Sequence, residues 1–151
     1  MSSDRLLGEF KIEYVTEVGP DREMEHFVVE VYDSREAVAR AAHEFNGIDD
    51  GPLEAITQGN CGDVGNEVPR AIIRVSRDRL THGIILHELV HATQHAYAWS
   101  GMLSAAEENP WGLANEAYAY LLQITYEQAL AVIDWSLSAH DPTIPTLELT
   151  A

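Results

Sequence analysis

The chain has 151 residues, 46% hydrophobic and 23% charged, with a formal net charge of −16. That make-up belongs to one globular domain, and nine basic residues against 25 acidic ones exclude the clustered lysine and arginine that a nucleic-acid backbone needs. A single cysteine, Cys61 in the turn-rich stretch GNCGDVGN, excludes an intramolecular disulfide framework and goes with a reducing, cytoplasmic compartment.

In chain order, residues 6–17 and 24–32 alternate and are rich in valine, tyrosine, isoleucine and phenylalanine. With Gly19-Pro20-Asp21 between them they predict a β-hairpin. No signal peptide is expected, because acids interrupt any apolar run in MSSDRLLGEFKIEYV. Ser34 is an N-cap for a helix REAVARAAHEF that ends near Gly47. A short strand near 53–57 and a glycine-rich loop follow, then a strand over 71–75. Residues 79–98, RLTHGIILHELVHATQHAYA, predict about five turns of helix without a proline. The breaker Asn109-Pro110 precedes a second long helical run over 111–139, and DPTIPTLELT leads to a C-terminal tail over 142–151. The order is α+β: one domain over 1–141, a small N-terminal sheet with a packing helix, then two long helices. No stretch reaches the roughly 18 apolar residues that a membrane span requires.

The chemistry is concentrated in His87-Glu88-Leu89-Val90-His91, an H-E-x-x-H motif. Histidines four apart stand one above the other on a helix face, where both imidazoles can bind one zinc ion at about 2.0–2.1 Å. Glu88 beside them is placed to take a proton from a zinc-activated water. A buried hydrogen-bonded histidine pair is the structural alternative. His95 does not complete the site, since eight residues separate it from His87, about 12 Å along a helix axis. His95 and His82 read as surface or supporting residues. The extended motif with a third histidine also fails, because Gln94 and Tyr97 occupy its glycine and histidine positions.

A carboxylate from the following helix is the remaining third ligand. Glu116 has Leu113, Ala117, Tyr120, Leu121 and Ile124 around it at helical spacing, and a glutamate on an apolar face needs a partner or a metal. Glu107 and Glu108 compete with it from the polar connection SAAEENP. Glu116 as a first-turn acid favoured by the helix dipole is a further alternative.

HELVHATQH followed by NEAYAYLLQ resembles the zincin metallopeptidases, in the branch whose third ligand is a glutamate on the next helix. It is closest in style to small bacterial and phage-encoded zincin-like proteins, over roughly residues 70–125. The resemblance implies a minimal zincin-like domain with His87, His91 and Glu116 as zinc ligands and Glu88 as general base. Tyr120 stands where such proteins often carry an acid that orients a histidine. By the same resemblance residues 71–75 would be an edge strand that pairs with extended substrate; an internal strand is the alternative.

The implied function is zinc-dependent hydrolysis of peptide bonds in a peptide or protein substrate, without nucleic-acid or membrane partners. Tyr97, Tyr118 and Tyr120 are candidate donors to the oxyanion, and packing is the other use for each. A non-catalytic zincin-fold module that binds metal or a protein partner is the alternative class, and a metal-free domain is a third.

Overall fold

Period-two alternation organises a sheet that is covered on both faces. A computed structural model describes residues 5–16, 23–47, 53–60, 67–100 and 113–144. In it β1 (Leu6–Thr16) and β2 (Glu23–Tyr32) form the expected antiparallel pair, with Phe10 opposite Val29 and Tyr14 opposite Glu25. The turn assigned to Gly19-Pro20-Asp21 lies outside the described residues. β3 (Ala55–Gly59) and β4 (Ala71–Ser76) complete a four-stranded mixed sheet in the order β1-β2-β4-β3. β4 runs parallel to β2 and antiparallel to β3. A parallel neighbour needs a crossover, and α1 (Arg35–Asn46) lies in the connection that provides it.

β4 is therefore internal. The edge-strand expectation for residues 71–75 is corrected: β2 and β3 pair with the two sides of this strand, and the edge next to the motif helix is β3. The near-continuous apolar run Ala71-Ile72-Ile73 suits a strand covered on both faces.

Local signals account for the helix ends. Ser34 accepts a hydrogen bond from the Ala37 N–H at 3.1 Å, and Gly47 closes α1 at φ 78 with its N–H on the His43 carbonyl at 2.7 Å. α2 (His82–Ser100) starts three residues later than expected. Arg77–Arg79 form a 3-10 turn, and Thr81 Oγ1 caps the helix by accepting from the Ile84 N–H at 3.1 Å. α3 (Leu113–Val132) stops short of residue 139. There Trp135 Nε1 donates to the Leu130 carbonyl at 3.0 Å, and Asp134 accepts from the Ser136 N–H at 3.1 Å, which closes the last turn. The chain then returns to the start of α2. His82 N–H donates to the Pro142 carbonyl at 2.8 Å, and the His82 ring meets Trp135 edge-on at 4.4 Å. Pro142, the first residue of the expected tail, is thus seated against α2.

Phe27, Val29 and Val31 of β2 and Ala71, Ile73 and Val75 of β4 join one core with Ile85, Leu89 and Ala92 of α2 and Ala129 of α3. The other face carries a smaller core of Tyr32 with Ala37 and Val38 of α1. Two buried arginines cross-link the strands. Arg74 donates to Glu30 at 2.7 Å and to Gln58 at 2.7 Å, under the Phe45 ring at 5.4 Å. Arg70 donates to Glu25 at 2.8 Å, and Tyr14 donates to the same carboxylate at 2.9 Å. Burial, with the Glu25 charge, pushes the Tyr14 phenol far above its ordinary range; burial and the bond to Glu30 push Tyr32 up to about 12. Among the described residues no helix is long and apolar enough to cross a membrane.

Ile73 is fully buried whereas Val15 is 46% exposed. Ile73→Ala is expected to cost about 2–5 kcal/mol in urea unfolding, and Val15→Ala to stay within about 0.5 kcal/mol. Equal losses would contradict the assigned core.

Candidate functional site

The site is set by the way α2 lies on the sheet. Ile85, Leu89, Ala92 and Ala96, all at most 5% exposed, form the row that seats it. Each residue turns about 100° around the helix, so the adjacent rows fall on opposite flanks. One flank, with Glu88 and His95, meets β3. The other, with Val90 and Tyr97, meets α3 through Tyr118, which donates to the Val90 carbonyl at 3.3 Å and meets the Tyr97 ring at a tilt, centroids 5.3 Å apart.

Glu88 is only 7% exposed. Thr57 Oγ1 donates to its Oε2 at 2.6 Å and lies 3.1 Å from the Glu88 carbonyl. His87 and His91 are exposed on the outward side of α2, with ring centroids 5.0 Å apart. The expected pair is thus brought together, while Glu88 turns to β3. His95 is half-buried over Gly59: a Cβ at position 59 would lie 2.7 Å from His95 Cγ. Burial, and then the His91 charge, hold His95 below its ordinary pKa.

Glu116 stands elsewhere. It is exposed in the first turn of α3, a helix that meets α2 on the flank away from Glu88. Of the apolar residues expected around it, Tyr120 is 62% and Ile124 45% exposed and Leu121 is partly buried against the core, while Thr125 and Ala129 turn fully inward. Helical spacing identifies residues that share a face, but here the inward face is the neighbouring one. Among the described residues no group of three or more histidine, cysteine, aspartate or glutamate side chains gathers where it could hold one metal ion. Glu116 is therefore not gathered with the histidine pair. Cys61, Glu107 and Glu108 lie outside the described residues. Of the three tyrosines, Tyr120 faces solvent, Tyr97 is buried, and the Tyr118 hydroxyl is engaged with α2.

The outer side of β3 completes the surroundings. Ser76 N–H donates to the Glu54 carbonyl and Asn60 N–H to the Arg70 carbonyl, both at 2.9 Å, so the even-numbered residues of this ladder bond inward. The antiparallel alternation then turns the N–H and C=O of Ala55, Thr57 and Gly59 outward, where no described strand pairs with them. The opposite edge is capped at Glu13. Gln128 of α3 accepts from the Glu13 N–H at 3.1 Å and donates to the Glu13 carbonyl at 2.5 Å, as a strand residue would.

Comparison with protein families, with curated proteins and with solved structures finds no match to this chain. Thr57 is the site residue that the motif did not point to: it lies 31 positions before Glu88 in a weakly marked strand.

Two outcomes test this arrangement. Gly59→Ala must displace His95 and lower stability, whereas Gly83→Ala, with nothing within 4 Å of its Cβ, should raise it by up to about 1 kcal/mol. Urea midpoints of the two variants check the pair. Burial also lowers the His26 pKa. Both histidines protonate near pH 6.5 when unfolded and only at lower pH when folded, so stability falls as pH drops through about 6.5. The urea midpoint should fall between about pH 7.5 and 5.5, and His95→Gln should shrink that fall. An unchanged fall in the variant would remove His95 as a contributor.

Proposed function

We propose that the chain is a zinc-dependent metallopeptidase of zincin-like design. His87, His91 and Glu116 are the zinc ligands in this reading, and Glu88 is the general base. The observation that supports it is that two exposed imidazoles stand together on α2 and that the adjacent Glu88 is held by Thr57 of the edge strand β3. Two neighbouring exposed imidazoles fit zinc as two of its donors. Glu116, an exposed carboxylate on the next helix, stands apart from the pair and would have to reach it to serve as the third donor.

When bound, zinc supplies Lewis-acid polarisation of the scissile carbonyl. The protein's own groups do the rest. Thr57 holds one oxygen of Glu88. The other accepts a proton from the attacking water and delivers it to the leaving amine. The outward N–H and C=O groups of Ala55, Thr57 and Gly59 suit an extended peptide that adds as a strand to β3. The substrate class is therefore a flexible, extended segment of a protein or a peptide.

A second reading, a non-catalytic metal-binding or protein-interaction module, is favoured by one observation: the third donor is not gathered with the histidines. Metal analysis beside hydrolysis of fluorophore-labelled casein separates the two. The peptidase reading expects about one zinc per wild-type chain, lost or weakened in Glu116→Ala. It also expects Glu88→Gln to keep the metal and lose hydrolysis. Zinc bound without hydrolysis in the wild type would favour the module. No zinc after reconstitution would sink both metal readings.

A further inference from the structure

We propose that Thr57 is a positioning residue that ties peptide binding to the general base; the proposal rests on the peptidase reading above. Thr57 is the central residue of β3, and its two sides face different partners. Its side chain turns to α2, where the hydroxyl donates to Glu88 Oε2 at 2.6 Å. Its backbone N–H and C=O turn outward along the open edge.

Glu88 is only 7% exposed, so water does little to orient its carboxylate. A β-branched side chain on a strand has few χ1 choices, so the hydroxyl is held by the same backbone that would hold the peptide. One residue then sets both the height of the bound peptide and the direction of the free Glu88 oxygen. The small neighbours Ala55 and Gly59 let α2 approach closely enough for the bond to form, and Gly59 has His95 directly over it. Nothing in this arrangement makes Thr57 a reacting group. It acts through Glu88.

Thr57→Val keeps the shape and the backbone edge while it removes the donor. With fluorophore-labelled casein as substrate, kcat should fall about 10–100-fold with KM nearly unchanged, and zinc content should stay at the wild-type value. Thr57→Ser should restore most of kcat, because it restores the hydroxyl. A cycle of Thr57→Val with Glu88→Gln, read by urea unfolding, should be non-additive, which reports the bond without substrate or metal.

Unchanged kcat in Thr57→Val beside an inactive Glu88→Gln would overturn the positioning role and leave the peptidase reading intact. A rise in KM alone would make Thr57 a peptide-holding residue and overturn the role as well. Loss of kcat in Thr57→Ser equal to that in Thr57→Val would refute it too, since the hydroxyl would not be what matters. A wild-type chain with no hydrolysis would remove the peptidase reading and this role with it, even where the cycle shows coupling.

Discussion

The close approach of α2 to β3 is the constraint on which the rest of the site depends. A helix can lie low over a strand only where that strand offers small side chains on the facing side. Here those residues are Ala55, Thr57 and Gly59. The His95 ring takes the space a Cβ at 59 would need, and the Glu88 carboxylate comes within hydrogen-bond reach of Thr57. A burial this deep leaves a carboxylate costly unless a donor meets it. Thr57 is that donor. His87 and His91, further round the helix, are then turned out to solvent rather than into the core.

The sheet beneath is held in register by more than apolar packing. Arg70 with Glu25 and Tyr14, and Arg74 with Glu30, Tyr32 and Gln58, join residues that are far apart in sequence. Buried ion pairs return little net stability, because desolvation offsets the attraction. They do penalise alternatives: sliding β2 against β4 by one residue would strand a buried arginine without its carboxylate. Thr57 and Gly59 pair with Ile73 and Ala71 in the strand that bears Arg74, so these contacts also keep β3 in place under α2.

The two edges of the sheet are treated differently. An open edge invites pairing with another chain, and proteins usually cover it. Gln128 does so at Glu13 of β1 by imitating a strand residue, which costs α3 one side chain and leaves its other contacts free. β3 has no such cover among the described residues. The unpaired edge strand and Glu88 of the H-E-x-x-H motif thus meet in space, although the motif and β3 are separated in sequence by a strand and a turn.

Much of this was legible in the residues. Period-two alternation marked β1 and β2, Ser34 and Gly47 bounded α1 within a residue, and H-E-x-x-H put both imidazoles on one helix face. These are local properties, written in side-chain spacing and backbone preference. The long-range facts were not. The internal position of β4 follows from a parallel pairing with β2, and no short window carries strand order. Glu116 looked inward because spacing alone cannot tell which of two neighbouring helix faces meets the core; the packing of α3 turned Thr125 and Ala129 in and left Tyr120, Ile124 and Glu116 out. Thr57 was invisible for the same reason. Its role comes from a contact across 31 residues, and such contacts exist only once the chain has chosen its neighbours in space.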